Sequence, residues 1–354
     1  MRIAIDAART VEGSTAPNPW VGAVLVRDGA VLSVGATAPY GGPHAEAAAL
    51  HGVDARGATL YVTLEPCVPF DGKRTPPCSA AIVAAGVARV VVGIPDPHFP
   101  GAGIERLRAA GIHVDAGDGA PQITSLLRPY LHLRQVGRPY VIVKFAVSLD
   151  GMAGAPGSGI RWLTGPAAIE RVHQDRARAG AILVGSGTVL TDDPALTARL
   201  GGILAARQPL RVVLDSRGRS PLAARVFDGQ APTAVATTAA SPSGWKAALR
   251  ARDVDVLEIE PATTGLSLPG LLDQLAARGI ISVIAEGGPT LHSALLAQGL
   301  AGEVHAYVAP RLLGQGIPLI PARSLPLPLE LRQPTVEPLT PDVLIRGYIG
   351  TWSP

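Results

Sequence analysis

Four side chains early in the chain have types and spacings suited to a single chemistry: His44, Glu46, Cys67 and Cys78. One imidazole and two thiolates supply three ligands for a tetrahedral ion and leave the fourth position to water. A bound zinc ion lowers the pKa of such a water from about 16 to about 7, so hydroxide becomes available at neutral pH. A carboxylate beside the ion but not bound to it can shuttle protons, and this role falls to Glu46. His-x-Glu followed by Pro-Cys is the pattern of zinc-dependent base deaminases, with His44, Cys67 and Cys78 as ligands and Glu46 as general acid/base. Two unrelated buried cysteines and a surface histidine would be the bland alternative. Cys67 and Cys78 are, however, the only cysteines among 354 residues, so one ion accounts for both and a disulfide-stapled domain is excluded.

The elements around these residues read as alternating strand and helix. Trp20 to Val26 and Val31 to Val34 flank Arg27-Asp28-Gly29 and predict a hairpin. Pro43-His44-Ala45-Glu46 opens an Ala-rich helix to Leu50. Thr59 to Leu64 is a short strand, 65–77 a loop rich in Pro and Gly, and Cys78 to Ala85 a short helix ended by Gly86. His44 and Cys78 thus stand at helix starts, where the positive end of the dipole favours thiolate. A buried strand at Val87 to Ile94 and a helix at Gly103 to Ala110 follow. The pattern changes at 136–139, where a domain boundary is expected.

Beyond it, strands are expected at 140–148, 181–185, 210–215, 233–236, 254–259, 280–286, 303–308 and 343–349, with helices at 166–179 and 289–298. This alternation predicts a mostly parallel α/β sheet. Lys144 is one of three lysines, against 28 arginines, and stands mid-strand among apolar residues. A buried, unpaired ammonium is costly, so a ligand or an acid must meet it, and a ligand is the favoured reading. Thr188 and Asp192 are placed on one loop after a strand, a usual location for ligand contacts in such sheets. Asp192-Asp193-Pro194 also suits a plain turn. Glu286-Gly287-Gly288-Pro289 reads as a strand-to-helix turn whose free N–H groups can take a phosphate, although Gly-Gly serves any tight turn.

Together these stretches resemble a known family. Pro17-Asn18-Pro19 with Val21-Gly22, Gly42 to Glu46, Thr63 to Cys67, and Thr75 to Cys78 resemble the bifunctional deaminase/reductases of riboflavin biosynthesis. Lys144 to Gly151, Trp162-Leu163-Thr164, Gly185 to Thr197, Asp215-Ser216 and Glu286 to Leu291 continue the resemblance in the family's order. It implies an α/β fold with a cytidine-deaminase-like zinc domain over 1–137 and a dihydrofolate-reductase-like NADPH domain over 138–354. By the same resemblance, zinc goes to His44, Cys67 and Cys78, and pyrimidine recognition to Asn18 and the loop before Cys78. NADPH would meet Ala146, Trp162, Thr188, Asp192, Ser216, Gly288, Pro289 and Thr290. Substrate would meet Arg176, Leu196, Arg199 and Glu286, together with Lys144. Ten residues separate the cysteines, and the 68–74 stretch is longer than the family's usual loop and lacks its histidine. Lys73 or Arg74 could hold a substrate phosphate there, or be solvated loop charges. Ile160 stands where a serine is frequent.

The implied activity is hydrolytic deamination of a diaminohydroxy-phosphoribosylaminopyrimidine, then NADPH-dependent reduction of its ribosyl chain to ribityl, with Glu286 or Asp192 as candidate proton donors. A nucleic-acid or free-base deaminase with an accessory nucleotide-binding domain is the first rival, and a nucleotide sensor with decayed sites the second. A net charge of +3 is weak for a nucleic-acid binder. No run of 18 apolar residues is free of charge or of Gly and Pro clusters, and the first 14 residues carry four charges and no apolar core. A cytoplasmic location, a small phosphorylated pyrimidine as partner and a homo-oligomer, dimer or tetramer, are therefore expected.

Overall fold

The apolar, β-branched run Thr59–Leu64 forms strand β3, with four of its six side chains buried, at the centre of a five-stranded sheet. The computed structural model describes residues 1–353 except 70–75, 156, 158, 161, 264, 322–324, 326–327 and 351. Within them the chain forms two compact units, Met1–Gly137 and Arg138–Ser353.

In the first unit the remaining strands are β1 (Gly22–Arg27), β2 (Ala30–Ala36), β4 (Arg89–Ile94) and β5 (His113–Ala116), in the order β2-β1-β3-β4-β5. The predicted hairpin is β1–β2, turned at Asp28 and Gly29, both with positive φ. β1 runs antiparallel to β3, whereas β3, β4 and β5 are mutually parallel. The helices are α1 (Arg2–Thr10), α2 (Ala45–Leu50), α3 (Cys78–Ala84), α4 (Ala102–Ala109), α5 (Ala120–Leu126) and α6 (Arg128–Val136). Helix α2 lies directly on β2 at Gly35, where a Cβ would strike the backbone of Ala45 and Ala49. Helix α1 was not expected. It buries only Ala4, Ile5 and Ala8, a stripe too short to stand out by periodicity.

The second unit is built on a nine-stranded sheet. Numbering only its members, these are β6 (Tyr140–Ser148), β7 (Ala181–Gly185), β8 (Leu210–Leu214), β9 (Thr233–Thr237), β10 (Val254–Glu258), β11 (Ser282–Ala285), β12 (Glu303–Ala309), β13 (Arg332–Leu339) and β14 (Asp342–Tyr348). The order is β10-β9-β8-β7-β11-β6-β12-β14-β13. All neighbours from β10 to β12 are parallel, and β14 pairs antiparallel with both β12 and β13. Helices α7 (Pro166–Arg178), α8 (Ser186–Asp192), α9 (Ser243–Arg250), α10 (Leu268–Ala277) and α11 (Pro289–Ala297) connect the strands. The core combines Val141, Val143, Leu183 and Val283 of the sheet with Leu271, Leu275 and Leu295 of the helices. Thr188 and Asp192, expected on a loop, belong to α8, which buries Val189 against the sheet. This tertiary contact overrides a run poor in helix formers. The exposed edge strand β13 also escaped the sequence reading, because its residues lack an apolar alternation.

Candidate active sites

The first site is assembled where three elements meet. His44 caps α2, Glu46 lies in its first turn, Cys67 follows β3 and Cys78 is the first residue of α3. Nδ1 of His44 lies 3.6 Å from Cys67 Sγ and 3.4 Å from Cys78 Sγ. The three donor atoms fall within 4.8 Å of one another. A tetrahedral centre with metal–sulfur near 2.3 Å and metal–nitrogen near 2.0 Å separates nitrogen from sulfur by about 3.5 Å, so the set fits zinc. Glu46 is buried beside these donors. Burial, then the Cys67 sulfur, pushes its carboxyl up to about 7 in the metal-free set. The hydrogen bond with Cys67, reinforced by burial, pushes the Cys78 thiol up as well. The helix start was expected to favour thiolate, but in the absence of a cation these neighbours outweigh the dipole of a two-turn helix. A coordinated dication reverses that balance and holds both sulfurs deprotonated.

Asn18 sits in the turn ahead of β1. Thr15 holds its backbone through an N–H bond of 3.0 Å to the Thr15 carbonyl and a Thr15 hydroxyl bond of 2.8 Å to the Asn18 carbonyl. Its side-chain amide has no protein partner among the described residues. Lys73 and Arg74 lie outside them.

The second site lies at the C-terminal edge of the parallel strands. β6 and β11 run in register with Val143 opposite Ala285, so Lys144 and Glu286 become neighbours. Lys144 Nζ is 3.5 Å from Glu286 Oε2. From α7, Arg176 donates to both Glu286 oxygens, at 2.7 and 2.8 Å, and to the Thr197 carbonyl at 3.1 Å. Burial raises the Glu286 carboxyl, but Arg176 and Lys144 outweigh it and hold it at about 2. Burial lowers the Lys144 ammonium pKa. An acid, rather than only a ligand, therefore meets Lys144.

Behind this cluster, Tyr307 donates its hydroxyl to Asp175 at 2.8 Å and carries the Lys144 ammonium 5.5 Å from its ring centroid. His305 lies 3.4 Å from Asp175 and 2.9 Å from Glu303. Arg171 bonds Asp175 at 3.1 Å. Asp175, Tyr307 and His305 were missed because nothing local in the sequence marks a partner supplied by another strand.

The expected cofactor residues gather only in part. Gly288 and Thr188 come together: a Cβ on Gly288 would lie 3.9 Å from Thr188 Oγ1. Pro289 and Thr290 open α11 after β11, Ser216 follows β8, and Asp192 ends α8, exposed. Trp162 is 63% exposed. Ala146, half-buried, packs against Ala168, Tyr307 and Leu344, because the β6–β12 register sets it opposite Tyr307. Arg199 bonds the Gly202 carbonyl and Gln230, and buried Leu196 has a positive φ of 54°. Ile160 is exposed. Gly185 and Gly187, around the start of α8, have no atom within 4 Å of where a Cβ would stand.

A His-Cys-Cys donor set with an adjacent carboxylate, followed by a mainly parallel nine-stranded sheet, defines a two-unit enzyme: a zinc-dependent deaminase joined to a dihydrofolate-reductase-like reductase. Residues 1–94 match the cytidine and deoxycytidylate deaminase zinc-binding region, and residues 139–345 the RibD C-terminal domain. The chain is 41% identical over 326 residues to riboflavin biosynthesis protein RibD of Chlamydia pneumoniae, spanning 90% of this chain and 86% of the relative. It is 37% identical over 352 residues to RibD of Aquifex aeolicus, spanning 98% and 96%. The solved structure of Acinetobacter baumannii RibD matches with a TM-score of 0.87 at 38% identity, covering 99% of this chain and 98% of that one. A diaminohydroxyphosphoribosylaminopyrimidine deaminase/5-amino-6-(5-phosphoribosylamino)uracil reductase from Thermotoga maritima matches with a TM-score of 0.84 at 32% identity, covering 99% and 97%. The chain belongs to the RibD family of bifunctional riboflavin-biosynthesis enzymes, with zinc and NADPH as cofactors. Among the described residues, no helix is long and apolar enough to cross a membrane.

Proposed function

We propose that residues 1–137 deaminate a diaminohydroxy-phosphoribosylaminopyrimidine and that residues 138–354 then reduce its ribosyl chain to ribityl. The observation that carries this reading is the convergence of His44, Cys67 and Cys78 within 4.8 Å, with Glu46 buried alongside. Zinc, when bound by these three residues, supplies a water acidified to a pKa of about 7. Glu46 takes a proton from the attacking water and passes it to the departing amino nitrogen. The water oxygen bonds to the ring carbon, the C–N bond breaks and ammonia leaves. Asn18, whose side-chain amide has no protein partner among the described residues, is available to the pyrimidine edge.

NADPH, when bound in the second unit, would supply a hydride to C1′ of the opened, imine-like sugar, the imine nitrogen taking its proton from Asp192 or from solvent. Ala146, Trp162, Thr188, Asp192, Ser216 and Gly288 to Thr290 are assigned to the cofactor, an assignment supported by the closeness of Gly288 to Thr188. Lys144, Arg176 and Glu286 orient the sugar, together with Leu196 and with Arg199 of the short strand Arg199–Leu200. Glu286 is held as a carboxylate by two cations, which suits it to accept sugar hydroxyls and not to donate a proton at neutral pH. Asp192 is the other acid of this edge. The partner is a small phosphorylated pyrimidine and not a nucleic acid, in keeping with a net charge of +3. A cytoplasmic homo-oligomer, dimer or tetramer, completes the reading.

The test feeds purified protein the diaminopyrimidinone phosphate with NADPH and follows ammonia and NADPH separately. One ammonia and one NADPH per substrate are expected, with about one zinc per chain. Deamination of single-stranded RNA in preference to the small pyrimidine would overturn the reading.

A further inference from the structure

Helix α4 begins without a local side-chain cap: its N-cap is Gly101, in the left-handed region with φ of 84°. Its first-turn N–H groups still need acceptors. A residue distant in sequence provides them. Glu65, buried at the end of β3, accepts from Gly103 at 2.7 Å and Ile104 at 3.1 Å through Oε1, and from Gly101 at 2.9 Å and Asp96 at 3.2 Å through Oε2. Four backbone donors therefore converge on one carboxylate, two on each oxygen. The approach is tight: a Cβ on Gly103 would drive into the Pro66 carbonyl oxygen.

Glu65 stands two residues before Cys67. Its own N–H continues the β3–β4 ladder by donating to Ile94 at 3.0 Å. On its far side, the Cys67 carbonyl accepts from Ser79 N–H at 3.2 Å and the Cys67 sulfur accepts from Cys78 N–H at 3.3 Å. The turn 65–67 is thus pinned between the start of α4 and the start of α3, and Cys67 has little freedom to leave the donor set.

We infer that Glu65 is a positioning residue for the metal centre: by binding the 96–104 segment it holds the Cys67 sulfur at the distance that the ion requires. This rests on the zinc reading of His44, Cys67 and Cys78. Outer partners that orient metal ligands typically change metal affinity about 10-fold to 100-fold when lost. In Glu65→Gln the amide nitrogen would face two N–H donors and offer them no acceptor. Gly103→Ala displaces the same turn from the opposite side while keeping the carboxylate.

The experiment compares zinc-loaded parental protein, E65Q and G103A. Zinc transfer to a chromogenic chelator is timed, and the visible bands of the cobalt-substituted proteins are recorded. Both variants are expected to release zinc at least about tenfold faster, with shifted cobalt bands, while NADPH-dependent reduction of the deaminated substrate stays within twofold of parental. Zinc release at the parental rate and unchanged cobalt bands in folded E65Q, even with a lowered melting temperature, overturn the inference and leave the zinc reading intact. If E65Q does not fold, the same outcome in G103A overturns it. Parental protein that takes up no zinc overturns both.

Discussion

Arg176 and Glu286, 110 residues apart, form a two-bonded ion pair of 2.7 and 2.8 Å, with the Lys144 ammonium 3.5 Å from the same carboxylate. Two cations therefore share one buried anion. Fork-to-carboxylate bonding fixes the Glu286 plane. Removing the anion leaves Lys144 and Arg176 facing each other in a site nearly closed to water.

Glu286→Gln is expected to abolish NADPH oxidation with the deaminated substrate and to destabilise the second unit by about 3–5 kcal/mol, the usual cost of breaking a buried pair from one side. Ammonia release should continue. Thermal unfolding and separate assays of the two products check this, and a variant that melts and reduces like the parent would sink the assigned role.

The His305 imidazole is expected to make the second unit sensitive to alkali. Burial lowers its pKa, but Asp175 and Glu303 outweigh burial and raise it to about 9 from 6.5. Tyr307 and Arg171 also face Asp175. A group whose folded pKa is raised contributes stability that is complete below pH 6.5 and is lost as pH rises towards 9. The slope approaches 1.4 kcal/mol per pH unit, about one proton's worth. Denaturant melts of parental protein and His305→Gln across that range should show the slope only in the parent.

Glu46→Gln keeps the three ligands and removes the proton shuttle. Zinc content should match the parent, deamination should fall by about 100-fold or more, and reduction of the deaminated compound should be unaffected. Deamination at the parental rate would show that another group moves the proton.

Cys78→Ser replaces a sulfur ligand within 3.4 Å of the His44 nitrogen by a poorer donor. Metal analysis should find zinc lost along with ammonia release, and NADPH oxidation preserved. Full zinc retention would mean that the 68–77 stretch provides a different ligand.

The sequence alone was enough to specify the chemistry of the first site, because donor types and a Pro-Cys beside His-x-Glu have few other uses, and to delimit β3, β6 and β7, whose apolar runs end at Glu65-Pro66, Ser148 and Gly185. Tertiary structure decided the rest. Glu65 reads locally as one more acid before a proline, and only the return of 96–104 turns it into a cap for α4. Lys144 read as needing a ligand or an acid, the ligand favoured, and the parallel register of β6 with β11 presents it with Glu286. Asp175, Tyr307 and His305 acquire their meaning from the packing of α7 on β12. The physical reason is common to all of these: periodicity records which face of an element is buried, whereas the identity of a polar partner depends on which distant backbone the fold brings within about 3 Å.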